Sequence, residues 1–236
     1  MIKMKKIDVL NVGYVGLVST MGNDLEVANA ARVSFDKRSE LDMTGLLKSK
    51  DKKLIDFLWK EEHTSPFRHC VLSFEIYAPL MVARQHWKYA VASTFVDDQN
   101  GWNESSRRYI TEEPAFYIPT AEDWRSAPEN SKQGSGEPIN YGLGIELTMR
   151  LFNTIEAAEK EYQNALEMGV CAEQARLFLP AYGMYVRYRW TTSLHGVMHF
   201  LQQRLAHDAQ KEITDYALAM KSLAGEAFPY SLSLVT

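Results

Sequence analysis

Cationic, amide and hydroxyl side chains crowd two neighbouring stretches of the chain. Arg84-Gln85-His86-Trp87-Lys88-Tyr89 is followed by Asn103-Glu104-Ser105-Ser106-Arg107-Arg108-Tyr109. Guanidinium groups take phosphate bidentately, and Lys takes it as a point charge. A carboxylate and an amide among them can read the edge of a base or ring. The same residues also read as a solvated charged helix, with Glu104 and Arg108 as an i,i+4 pair.

A second concentration comes late: Arg176, Arg187, Arg189, His195, His199, Arg204 and His207. His195 and His199 stand one turn apart on one helix face. That spacing raises a metal site, but His-Glu-x-x-His is absent and no nearby acid completes a ligand set. Two hydrogen-bonded histidines at an interface are the other reading. His63-Thr64-Ser65-Pro66-Phe67-Arg68-His69 reads as a helix-to-strand turn, with weak support for metal. Cys70 opens an apolar strand. Cys171 opens a helix, where a thiol pKa falls, yet a structural thiol is the favoured reading of both.

These residues need a scaffold, and the composition allows one. The chain has 236 residues, a formal net charge of −4, 46% hydrophobic and 24% charged residues. Those are globular proportions, with length for one large domain or two small ones. The mild acidity argues against a general nucleic-acid coat and leaves room for a local basic pocket. Two cysteines cannot build a disulfide framework. The start, MIKMKKIDVLNVGYVG, is a poor signal peptide, and no stretch approaches a membrane span. A cytoplasmic protein, bound to neither nucleic acid nor membrane, is expected.

Ile7 to Leu17, broken by Gly13 and Gly16, predicts two short strands and a turn. Asp24 is the expected cap of a helix through Val33, and Asp51 of a second through Trp59. Residues 36–50 read as a loop or broken helix. Cys70 to Tyr77 predicts a strand with Val71, Ser73, Glu75 and Tyr77 on one face and Leu72, Phe74 and Ile76 on the other. Leu80 to Ala92 reads as helix and residues 95–103 as turn. Pro114 to Pro138 is a surface excursion. A long helix from Ile145 to Met168 stops at Gly169. Ala172 to Leu179 is a short helix, and Met184 to Thr192 a strand. Ser193 to His207 and Ala209 to Ala224 are helices. Strands and helices do not alternate, so the class is α+β rather than doubly wound. No Gly-x-Gly-x-x-Gly follows a strand.

Taken in order, several pieces resemble the flavin-dependent thymidylate synthases (the ThyX family), over roughly Asp24 to Phe228. Ala30-Ala31-Arg32-Val33-Ser34 is similar to the family's early helix end. His63 to His69 is similar to its His-x-(Thr/Ser)-Pro-Phe-x-His turn. Arg84-Gln85 resembles the pair opening the signature helix, and Asn103 to Tyr109 the Asn-Glu-x-Ser-x-Arg-Tyr segment. Ala175-Arg176 with Leu179-Pro180, and Arg204 with Ala209-Gln210-x-Glu212-Ile213, complete the series. The signature departs where the family has Arg-His-Arg, because Lys88-Tyr89-Ala90 stands there. A longer loop, Thr94 to Trp102, follows Ser93. The family's flavin-binding Asn-x-Arg and later Asn align with Ser193-Leu194-His195 and His199.

The resemblance implies a single α+β domain over residues 1–236, a central, mostly antiparallel sheet flanked by helices. It implies reductive methylation of dUMP to dTMP, with FAD, methylenetetrahydrofolate as carbon donor and NADPH as reductant. It also implies a homotetramer with active sites at subunit interfaces. Arg204 would polarise the uracil and Ser106 would orient it. Gln85, Lys88, Glu104, Ser105, Ser106, Arg107, Arg108, Arg176 and Arg204 would hold dUMP. Ser65, Lys88, Tyr89, Ala90, Val91, Glu104, Ser193, His195 and His199 would face FAD. No metal is implied. Two other readings stand beside this one: a pyrimidine nucleotide hydroxymethylase on the same fold, and a non-catalytic nucleotide-binding homologue. A metal hydrolase using His195 and His199 is a third.

Overall fold

A computed structural model describes residues 4–94, 101–106, 113–129 and 134–235, the side chains at 90–94 apart. Among the described residues five strands form one sheet. They are β1 (Lys5–Val9), β2 (Gly13–Met21), β3 (Val71–Pro79), β4 (Gly101–Glu104) and β5 (Tyr185–Ser193). Their order is β1-β2-β3-β5-β4, and every neighbouring pair is antiparallel. The helices are α1 (Asp24–Arg32), α2 (Ser49–Lys60), α3 (Ser65–Arg68), α4 (Leu80–Thr94), α5 (Tyr141–Glu167), α6 (Ala172–Ala175), α7 (Leu194–Arg204) and α8 (Lys211–Ala224). This is the α+β class with the antiparallel sheet that the sequence led us to expect.

The period-two pattern of β3 explains which face is core. Leu72, Phe74, Ile76 and Ala78 are buried, together with Val186, Tyr188 and Trp190 of β5. Burying each large side chain contributes about 1.5–3 kcal/mol. Helices α4, α7 and α8 cover this face. The alternate residues Glu75, Arg187 and Arg189 carry polar groups on the other face, where Arg189 pairs with Glu75 at 3.3 Å. Alternation of this kind belongs to an antiparallel sheet covered on one side.

Two strand-to-helix junctions set the architecture of the site. β3 passes straight into α4 at Pro79, whose missing N–H suits a helix start. β5 passes straight into α7, where the Ser193 hydroxyl accepts from the Gly196 N–H at 3.1 Å as the N-cap. Pro79 pairs with Tyr185 and Val71 with Ser193. The two helices therefore start from opposite ends of one strand pair and meet over the same face.

Some local expectations change. Asn23, not Asp24, caps α1, accepting from the N–H groups of Leu25 and Glu26 at 2.9 and 3.2 Å. Asp24 is buried and instead holds the chain end, accepting from the N–H groups of Tyr230 and Ser231 at 2.7 and 2.9 Å. Asp51 lies in the first turn of α2 but does not cap it. It is buried and takes Arg32 at 2.5 Å and the Ser39 hydroxyl at 2.8 Å. Gly16 does not break β2. Residues 101–103 of the expected turn belong to strand β4, which pairs with β5 from Gly101–Thr191 to Glu104–Tyr188. Residues 95–100 lie outside the described residues. The long helix does stop before Gly169, which has φ +86°.

Candidate functional site

The centre of the α4–α7 contact is His86, buried and ringed by aromatics. Its ring centroid lies 4.4 Å from that of Trp190 and 4.5 Å from that of Phe200. Its Nδ1 hydrogen-bonds the Tyr188 hydroxyl at 3.0 Å, while Nε2 is buried without a partner among the described residues. Burial, and then the nearby Arg204 charge, push its pKa down to about 3, so the imidazole is neutral. His86 belongs to the sequence cluster but is structural, fixing how α4 sits on the sheet.

One turn further along α4, Tyr89 meets α7. The Arg204 guanidinium carbon lies 5.0 Å from the Tyr89 ring centroid. The Tyr89 hydroxyl also accepts a hydrogen bond from Arg204, which opposes the upward pull of burial on the phenol pKa. Tyr89 in turn approaches His199 at 5.8 Å between ring centroids. Arg204 ends α7, where the helix dipole favours a cation. Its carbonyl accepts from the Thr214 hydroxyl at 2.9 Å, and its Nε is buried without a partner among the described residues. Thus the structure brings Tyr89, His199 and Arg204 together.

On one side of this junction a cavity of about 460 Å³ lies between α2, Thr64 and α7, lined by His195, His199 and Gln202. Ser65 adjoins Thr64 at the start of α3. Burial lowers the His199 pKa, so this ring too favours its neutral form. Ser193, aligned with a flavin contact, is fully buried and its hydroxyl is committed to the helix cap.

On the other side of α4, a cavity of about 420 Å³ is lined by Arg84, Trp87, Trp102, Glu104 and Tyr182. Trp102 stacks on Tyr188 at 4.2 Å, which seats β4 on the core and fixes Glu104. Desolvation raises the Glu104 pKa, against a hydrogen bond from Trp102 and the charge of Arg84. Ser105 extends the β4 ladder. Its N–H donates to the Arg187 carbonyl at 2.7 Å, and its hydroxyl accepts from the Arg187 N–H at 3.1 Å. Ser106 follows, half-buried.

Gln85 faces α8 and donates to the Gln210 side-chain carbonyl. Lys88 is exposed on α4. Arg176 stands apart, exposed at the end of α6, beside a smaller apolar cluster formed by Tyr162, Ala165, Ala175, Leu179 and Met184. Its Nε donates to the Glu173 carbonyl at 3.2 Å. Arg107 and Arg108 lie outside the described residues, as do the side chains of Ala90 and Val91.

Neither cysteine joins the site. Cys70 is buried, and desolvation pushes its thiol up to about 12. Cys171 is exposed at the start of α6. Among the described residues no three His, Cys, Asp or Glu side chains gather as metal ligands, and no helix is long and apolar enough to cross a membrane.

The family model described as "Thymidylate synthase complementing protein" matches residues 16–230. The flavin-dependent thymidylate synthase of Thermotoga neapolitana is 34% identical over 229 residues, covering 96% of this chain and 92% of its own. The chain belongs to the flavin-dependent thymidylate synthase family. The member from Thermus thermophilus is 36% identical over 223 residues, covering 94% of this chain and 75% of its own. Among solved structures, a UMP/dUMP methylase, PolB from Streptomyces cacaoi bound with 5-Br dUMP, is similar at a TM-score of 0.78. It is 26% identical and covers 96% of each chain. The junction at Tyr89 lies in the Lys88-Tyr89-Ala90 stretch that the resemblance set against the family's Arg-His-Arg.

Proposed function

We propose that the chain is a methyltransferase that converts dUMP to dTMP with a bound flavin, taking the carbon from methylenetetrahydrofolate and reducing equivalents from NADPH. The observation that carries this reading is Arg204. It is a guanidinium with one buried nitrogen lacking a partner among the described residues, held over the Tyr89 ring, in a chain of this family. A fixed cation beside a pyrimidine favours the N3-deprotonated ring, and that activates the carbon to be alkylated. Gln85, Glu104, Ser105, Ser106, Arg107 and Arg108 would surround the nucleotide, with Ser106 as an orienting hydroxyl. Lys88 would neutralise phosphate where the family uses Arg.

The cavity beside His195 and His199 suits a flavin edge. The His199 imidazole, which burial holds toward its neutral form, can hydrogen-bond a heteroaromatic ring without adding charge, and Ser65 follows Thr64 of the lining. Tyr89 would lie between the two ligands, with Lys88, Ala90, Val91 and Glu104 nearby, and Ser193 would contribute through the backbone it caps. When bound, the flavin supplies the hydride, so the chain needs no nucleophile of its own. This agrees with the buried, high-pKa thiol of Cys70.

The working particle is a homotetramer with sites at subunit interfaces. Tyr141, Ile145, Met149 and Phe152 form an exposed apolar stripe along one face of α5, and Leu177, Phe178 and Tyr182 are exposed near Arg176. Apolar surface so arranged supports association. Arg176, exposed and set on its own cluster, would then reach a nucleotide across such an interface. Absorbance of the purified protein during titration with FAD and then dUMP tests this reading. Flavin bands that perturb on adding dUMP are expected. Protein that stays colourless with added FAD contradicts it and favours a nucleotide-binding homologue without catalysis.

A further inference from the structure

Gln85, assigned to the nucleotide pocket under the proposed function, is one end of a chain of hydrogen bonds that converges on Glu212. Its Nε2 donates to the Gln210 side-chain carbonyl. The Gln210 Nε2 donates to Glu212 at 2.7 Å and lies 3.9 Å from the Met81 sulfur. Glu212 accepts from Arg125 at 3.1 Å, and Arg125 Nε donates to the Ser135 hydroxyl at 2.8 Å. Gln210 occupies the N-cap position of α8 yet makes no side-chain cap bond. Its amide is spent on this chain instead.

A free carboxamide can turn over, exchanging its oxygen and nitrogen, at little cost. This one cannot. Arg125 can only donate, and an ionised Glu212 can only accept. Glu212 therefore fixes the Gln210 amino group toward itself, which leaves the Gln210 carbonyl facing α4. That carbonyl requires the amino group of Gln85. The Gln85 carbonyl oxygen is then left as an acceptor. Glu212, the hub of the chain, is 8% exposed and salt-bridged to Arg125, while Arg125, Ser135 and Gln210 line a cavity of about 410 Å³.

We infer that Arg125, Glu212 and Gln210 are positioning residues that lock the Gln85 amide as a hydrogen-bond acceptor toward a donor group of the nucleotide. That donor is the 3′-hydroxyl of the sugar, since the N3 position is the one Arg204 holds deprotonated. The inference rests on the placement of Gln85 in the nucleotide pocket. It adds the reason why that amide is fixed in one of its two orientations.

The test is a double-mutant cycle on dUMP affinity, measured by calorimetry with the flavin-loaded protein. Gln85→Ala and Gln210→Ala should each weaken dUMP binding about 5- to 30-fold. The double variant should bind within about twofold of Gln85→Ala, because one acts through the other. Losses that multiply overturn the inference. Weakening by Gln85→Ala with none by Gln210→Ala overturns it alone, whereas unchanged binding by Gln85→Ala overturns the placement of Gln85 as well. Should Gln210→Ala not fold, Glu212→Gln keeps the shape but frees the amides to turn. It should weaken dUMP about 3- to 10-fold in protein that remains folded at the assay temperature, and unchanged affinity overturns the proposal. The Gln210→Ala penalty should vanish for 3′-deoxy-dUMP. A penalty that persists there contradicts the inference.

Discussion

The guanidinium of Arg204 is held over the ring of Tyr89, 5.0 Å from its centroid, at the point where α7 ends against α4. The pairing couples a residue of the altered signature to the cation proposed to polarise the pyrimidine. Tyr89 also lies 5.8 Å from His199, so one side chain touches both halves of the proposed site.

Removing the cation should therefore damage chemistry more than structure. Arg204→Ala should keep the flavin and the oligomer while turnover falls about 10²- to 10³-fold, the usual loss for one transition-state donor. Single-turnover kinetics with dUMP checks it, and near-normal turnover would show that Arg204 is misassigned.

Tyr89→Leu should loosen Arg204 without removing its charge. A partly desolvated cation–π contact is worth about 0.5–2 kcal/mol, or about 2- to 30-fold. The loss should appear in turnover, and Tyr89→Phe should recover part of it by restoring the ring. Equal losses for Leu and Phe would place the effect in the hydroxyl alone.

His86 gives an acid-sensitive fold. Its pKa is about 3 when folded, against about 6.5 when unfolded. Below pH 6.5 the unfolded chain binds a proton that the folded one refuses, so stability declines as pH falls from 6.5 toward 3, by up to about 1.4 kcal/mol per unit. His199, shifted in the same direction, adds to the slope. Thermal unfolding between pH 6.5 and 5 should be less acid-sensitive in His86→Phe, although that variant starts less stable after losing the Tyr188 bond. An unchanged slope would show that His86 is not the group refusing the proton.

The loop after α1 depends on a buried ion pair. Asp51→Ala leaves Arg32 without its carboxylate and Ser39 without its acceptor. Breaking a buried pair from one side costs about 3–5 kcal/mol, so a large drop in denaturant midpoint is expected. A change within experimental error would contradict the role given to Asp51.

Much of the scaffold was legible in the sequence because its causes are local. The alternation of Leu72, Phe74 and Ile76 against Ser73 and Glu75 set the faces of β3, and Gly169 stopped α5 where a positive φ was needed. The misread caps have a different cause. Asn23 and Asp24 are both good caps, and the choice depends on Tyr230 and Ser231, far along the chain. Gly13 was read as a turn residue. Its constraint is a close approach: a Cβ there would lie 2.0 Å from the Tyr216 hydroxyl, which donates to the Tyr77 carbonyl. The basic and amide residues of the site were visible as types. Their pairing was not, because Tyr89–Arg204 and Gln85–Gln210 join positions separated by more than a hundred residues.

The most direct test of the proposed reaction is the mass of the nucleotide released by the FAD-loaded protein given dUMP, methylenetetrahydrofolate and NADPH. Release of dTMP, dependent on all three, is the expected result. Release of hydroxymethyl-dUMP without dTMP, or unchanged dUMP from protein that holds flavin, would contradict it.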